Sequence, residues 1–131
     1  ISSGTYQEWE ILIDNKTLFF LASQPGPASV RVDAIQQGRC FHLIDANVKF
    51  EGIYFTGGWH PNVGGAVNIE RLSTVEFIDC SFIGNYAGNG GGAIVSETTP
   101  NSDLFFNYCL FDGNSSGGEV VPISWTDRRP S

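Results

Sequence analysis

Apolar residues fall two apart, then three, then two along three stretches of the chain, with mostly polar residues between them. Val48, Phe50, Ile53 and Phe55 set the pattern; Val75, Phe77, Cys80 and Phe82 repeat it, and Leu104, Phe106, Cys109 and Phe111 repeat it again. A strand sends alternate side chains to one face, so each stretch predicts a strand whose inward parity is reset once by a bulge. Helical spacing fits poorly, and the many glycines would be costly in helices. The Phe50 position recurs 27 residues later at Phe77 and 29 residues after that at Phe106. A degenerate copy lies upstream, with Leu18 and Phe20 for Val48 and Phe50, and with Ser23 and Pro25 where Ile53 and Phe55 stand.

Each apolar stretch is followed by a turn motif and a glycine pair. Phe82-Ile83-Gly84-Asn85 leads to Gly91-Gly92-Ala93-Ile94; Phe55-Thr56-Gly57-Gly58 leads to Gly64-Gly65-Ala66-Val67; Phe111-Asp112-Gly113-Asn114 leads to Gly117-Gly118-Glu119-Val120. The glycines read as turns that reach positive φ, and Asn85 and Asn114 as the residue next best suited to such turns. A phosphate-cradling loop would need a helix after the glycines, whereas Ala93-Ile94-Val95 reads as a strand. A fixed period of this length with short β runs predicts an all-β, right-handed parallel β-helix of about four to five coils. Like residues then stack, Phe50 with Phe77 and Phe106, and Phe55 with Phe82 and Phe111. Residues 1–131 form one domain: opening coils over 1–47, three clear repeats over 48–121, and a tail or cap over 122–131.

The paired motifs Phe82 to Asn85 and Gly91 to Ile94 resemble the repeats of polymorphic membrane proteins and related β-helix surface proteins. The start, Ser3 to Glu8 followed by Ile11-Leu12-Ile13 and Leu18 to Leu21, is similar to the first coil of pectin-lyase-like β-helices. These resemblances imply secreted or surface-exposed proteins that adhere or assemble.

Net charge is −7, which argues against nucleic acid or an anionic membrane as partner. The basic residues do not cluster beyond Arg128-Arg129, and no apolar run approaches a membrane span, so no membrane insertion is expected. The chain has no initiating Met and no signal peptide, and reads as a mature or excerpted product. Sequons at Asn15-Lys16-Thr17 and Asn114-Ser115-Ser116 make Asn15 and Asn114 candidate glycosylation sites. Asn114 has two exclusive readings: outward and carrying sugar, or inward and stacked on Asn85. Cys80 and Cys109 share a repeat position and are candidates for a disulfide between coils or for a stack of buried thiols. Cys40 is the odd cysteine, able to pair between chains. No cysteine or histidine spacing predicts a zinc site, and no cofactor is expected.

β-helices also host polysaccharide lyases and hydrolases, which need clustered carboxylates on one face. Asp45, Asp79, Asp103, Asp112, Glu51 and Glu76 form no such pair in sequence, Glu76 is expected to face Lys49 in a surface ion pair, and His42 and His60 stand alone. Trp59, Tyr54 and Tyr86 are candidate exposed aromatics for sugars or partner proteins. Trp59 is expected to cover its own loop, and Trp9 and Trp125 to cap the lumen or to sit between subunits. The open strand edges at both ends favour pairing with further copies. The sequence therefore predicts a non-catalytic extracellular structural protein, glycosylated and self-assembling into a fibre or surface layer. A carbohydrate-active enzyme and a monomeric glycan-binding module are the alternatives.

Overall fold

A computed structural model describes residues 1–23, 30–98, 103–117 and 123–127. The first coil holds β1 (Gly4–Tyr6), β2 (Ile11–Asp14) and β3 (Thr17–Leu21), and the second β4 (Val30–Asp33), β5 (Phe41–Ile44) and β6 (Asn47–Glu51). The third coil gains a short extra strand: β7 (Ile53–Thr56), β8 (Trp59–His60), β9 (Val67–Arg71) and β10 (Thr74–Ile78). The fourth repeats it with β11 (Ser81–Ile83), β12 (Tyr86–Ala87), β13 (Ile94–Thr98) and β14 (Leu104–Asn107). β15 (Leu110–Asp112), β16 (Ser115–Ser116) and β17 (Ile123–Asp127) begin a fifth. Four sheets result, ordered β1-β4-β7-β11-β15, β8-β12-β16, β2-β5-β9-β13-β17 and β3-β6-β10-β14. Strand pairs between successive coils are parallel throughout these ladders. The chain is an all-β parallel solenoid of about four turns.

The aromatic stacks are those the repeat predicts. Phe20, Phe50, Phe77 and Phe106 stack with centroids 5.1, 5.2 and 5.4 Å apart. Phe55, Phe82 and Phe111 form a second stack at 4.9 and 4.8 Å. The two columns meet edge to face, as between Phe50 and Phe55 at 82°, the arrangement that ring quadrupoles favour. Phe50, Phe55, Phe77 and Phe82 are fully buried.

Two expectations about the backbone are corrected. The three-residue step between Phe50 and Ile53 is no bulge in one strand but a corner between two sheets. Gly52 (φ 76°), Asp79 (φ 51°) and Tyr108 (φ 56°) turn that corner in successive coils. The glycine pairs also divide their work. Gly64 and Gly91 take positive φ, at 71° and 61°. Gly65 and Gly92 are instead needed for close approach: a Cβ on Gly65 would lie 2.1 Å from the Gly92 carbonyl oxygen, and one on Gly92 would lie 2.4 Å from that of Ser115.

The degenerate first coil behaves as expected, with Leu18 paired to Val48 and Phe20 to Phe50. The partner beneath Ile53 and Phe55 is not Ser23 and Pro25 but Val30 and Val32 in β4; Pro25 lies outside the described residues. Of the C-terminal tail, Ile123–Asp127 is a regular strand paired with β13. Gly118, Glu119 and Val120 lie outside the described residues.

Candidate functional site

The extra strands β8 and β12 give the solenoid its most distinctive outer surface. Trp59 and Tyr86 are register partners, and their rings stack at 6.4 Å and 22°. The Trp59 N–H donates to the Gly38 carbonyl and the Tyr86 N–H to that of Gly58, each at 2.9 Å. Trp59 does not fold over its own loop; it is 40% exposed. Three residues further along the same two coils, Asn62 and Asn89 form a second, exposed stack, the Asn89 Nδ2 donating to Asn62 Oδ1 at 2.7 Å.

Behind this surface sits a polar cluster that sequence spacing did not reveal. The second coil has no counterpart of β8 or of the Val63-Gly64 loop. In the fourth coil, the Gly90 and Gly91 carbonyls accept from the Gly64 and Gly65 N–H groups one coil earlier. Among the described residues, the carbonyls of Val63 and Gly64 have no such backbone neighbour, and Arg39 takes its place. Its Nε donates to both oxygens at 3.1 Å, and its NH2 group donates to Val63 at 2.9 Å. Arg39 is buried, and its own N–H donates to Glu10 Oε1 at 3.0 Å. Burial lowers the guanidinium pKa, opposed by the nearby charges of Glu10 and Glu70.

His60 completes the cluster. Its Nδ1 accepts from the Asn62 N–H at 3.0 Å and faces the Arg39 NH2 group at 3.3 Å. An Nδ1 that accepts leaves the ring proton on Nε2. Burial, then the charge of Arg39, lower the His60 pKa, which favours this neutral form. On the neighbouring sheet, His42 Nε2 contacts Glu70 Oε2. His42 pairs with Asn68, so Glu70 is its diagonal neighbour one coil on. The signal was the coil register, which requires recognising β4 and β5 as a full coil before the clear repeats begin.

The other predicted residues fall as follows. Asn114 is buried and points inward: its Nδ2 donates to the Phe82 carbonyl at 2.7 Å, and its Oδ1 accepts from Asn85 Nδ2 at 2.9 Å and the Asn85 N–H at 3.0 Å. Asn85 repeats this toward Phe55 and Gly58. The inward reading is the one found, and a glycan on the Asn114 amide has no place in this fold. Asn15 is exposed at a corner. Tyr54 is half-buried, with the Arg31 guanidinium 4.4 Å from its ring centre, so it is engaged within the solenoid.

Cys80 and Cys109 are neighbours between coils and stand as free thiols, their Sγ atoms donating to the Phe50 and Phe77 carbonyls at 3.5 and 3.3 Å. Burial pushes the Cys80 thiol up to about 12 and raises Cys109 as well. Cys40 is fully buried, so it cannot pair between folded chains. Trp9 is exposed rather than a lid on the lumen, and the side chain of Trp125 lies outside the described residues.

Glu51 and Glu76 share the outer face of the β6–β10 ladder as diagonal neighbours, while Asp45 and Asp79 sit at corners. Asp45 Oδ2 is 3.5 Å from Arg71 Nε, and Glu76 Oε1 is 3.9 Å from Lys49 Nζ, the expected surface pair. Among the described residues, no group of three or more His, Cys, Asp or Glu side chains is placed to hold a metal ion.

Two curated proteins are similar to this chain. One, described as "Probable autotransporter YfaL" from Escherichia coli (strain K12), is 33% identical over 133 residues, covering 93% of this chain and 10% of that protein. Another, described as "Metabotropic glutamate receptor-like protein P" from Dictyostelium discoideum, is 42% identical over 55 residues, covering 42% of this chain and 4% of its own length. No protein-family profile and no solved structure matches. The chain thus spans a tenth or less of the relatives it matches, and in both it corresponds to one stretch of a much longer protein.

Proposed function

We propose that the chain is a non-catalytic structural stretch of a secreted or surface-exposed β-solenoid, which assembles end to end by stacking a further coil on its first coil and carries sugar at Asn15. The observation that supports this is the open lumen at the first coil. A cavity of about 160 Å³ lies there, lined by Ile1, Ile11, Phe20, Val30, Val32 and Phe41 among others. Beside it, Leu18, on the inward face of the edge strand β3, is left 39% exposed. An unpaired strand edge beside an apolar core is a template for another coil. The similarity to a protein described as an autotransporter supports secretion.

Electron microscopy of the native protein at working concentration, without reductant, tests the assembly. Regular filaments with an axial repeat near the height of one solenoid are expected. Discrete monomers at high concentration would overturn end-to-end assembly.

A further inference from the structure

We infer that the surface of β8 and β12 is a binding site for a neutral oligosaccharide, with Trp59 and Tyr86 as its platform and Asn62 and Asn89 as its hydrogen-bonding rim. The inference does not depend on assembly, because every residue involved belongs to the third and fourth coils.

The platform is preorganised. Trp59 and Tyr86 are held at their backbones by hydrogen bonds to the coil before, and their rings support one another across the 6.4 Å stack. A rigid ring loses little conformational entropy on binding, which is what a platform needs. Among the described residues, small ones lie beside them. Gly57 and Gly58 precede Trp59, Ala87 and Gly88 follow Tyr86, and Ser115 is the register partner of Tyr86 in the next coil. A Cβ on Gly88 would lie 2.0 Å from the Pro61 carbonyl oxygen, so the flat surroundings are built into the backbone packing.

The rim supplies both hydrogen-bonding senses. Asn89 spends one N–H on Asn62 Oδ1, which leaves the Asn62 NH₂ group to donate and the Asn89 amide oxygen to accept. Backbone bonds fix both residues: the Asn62 N–H donates to His60 Nδ1 at 3.0 Å, and the Asn89 N–H to the Asn62 carbonyl at 2.6 Å. A pyranose offers an apolar C–H face ringed by hydroxyls that donate and accept. Aromatic faces take the first and amides the second.

Charge selects the neutral class. The net charge of −7 disfavours acidic sugars. Arg39, the cation that meets His60 in this cluster, is occupied by the Val63 and Gly64 carbonyls, and burial and Arg39 lower the His60 pKa toward its neutral form. A protein partner would meet a surface of amides and glycines around two rings, poor in the aliphatic area that a protein interface buries at its core.

The test is a glycan array of neutral and acidic oligosaccharides probed with the intact chain, followed by titration of the best neutral ligand by isothermal calorimetry. Trp59→Ala is expected to weaken binding about tenfold or more. Trp59→Phe retains part of the affinity, and Asn89→Ala loses several-fold, with circular dichroism unchanged in both. Three results would overturn the inference: no neutral glycan bound, a preference for acidic glycans, or undiminished binding by folded Trp59→Phe and Asn89→Ala together.

Discussion

Phe20 and Phe50 hold the same repeat position in adjacent coils and stack at 5.1 Å and 10°, yet Phe50 is fully buried and Phe20 only half-buried. Their neighbours differ in the same way: Val48 is 1% exposed and Leu18 is 39%. The residue types are alike. The difference is that Phe50 has a coil on both sides. Burial here belongs to the stack rather than to the residue, which is why a solenoid's stability grows by interfaces between neighbours. The largest effect tests this directly. Phe50→Ala, with Phe77 and Phe20 pressed against the void, is expected to cost about 3–5 kcal/mol in denaturant unfolding. Phe20→Ala is expected to cost roughly half as much, because part of its surface is already in water. Equal costs would break the comparison.

The same contrast holds between two asparagine stacks. Asn85 and Asn114 run inside, where each amide serves buried backbone groups; Asn62 and Asn89 run outside in water. Asn85→Ala orphans the Gly58 N–H and the Phe55 carbonyl, at about 1–3 kcal/mol for each buried group left unsatisfied. Asn89→Ala is expected within about 0.5 kcal/mol of the parent. Thermal or urea unfolding of the two variants side by side separates an interior ladder from a solvated one.

A third contrast is between the coil that begins the β8-β12-β16 sheet and the coil before it, which lacks that sheet. Arg39 substitutes for the missing backbone by donating to Val63 and Gly64. Arg39→Leu leaves those carbonyls without their donors and is expected to cost about 1–3 kcal/mol. The loss should be local. Amide exchange at Gly64 and Gly65 speeds up, while amides in β6 and β10 keep their protection.

The solenoid was legible because its evidence is periodic: Phe50, Phe77 and Phe106 announce a register by themselves, and the asparagine turns and glycine pairs confirm it. What escaped was whatever broke the period. Val30 and Val32 sit beneath Ile53 and Phe55, but Phe55 follows Val32 by only 23 residues, so their coil did not match the repeat. Without that coil, Arg39 and His42 had no register, and their proximity to His60 and Glu70 could not be read. The rule that glycine marks positive φ accounts for Gly64 and not for Gly65, whose need is the Gly92 carbonyl one coil away. The sequon at Asn114 was ambiguous for a related reason: the same residue type serves a turn inside the stack and an acceptor for sugar outside it.

The smallest effect concerns the pH dependence of the coil that Arg39 caps. Burial and the charge of Arg39 lower the His60 pKa from its ordinary 6.5, His42 acts in the same direction, and Glu10 opposes them. The unfolded chain therefore takes up a proton at a higher pH than the folded chain does. The contribution of His60 to stability is complete above about pH 6.5 and falls as the pH drops through the window between that value and the lower folded one. In structural terms, protonation puts a proton on the Nδ1 that accepts from Asn62 and sets two cations face to face at the Arg39 contact. His60→Asn keeps an acceptor and removes the titration. Its unfolding free energy, measured by urea between pH 7.5 and pH 5, is expected to fall less than that of the parent. An identical pH profile in both would place the acid sensitivity elsewhere and leave the Arg39 cap indifferent to protonation.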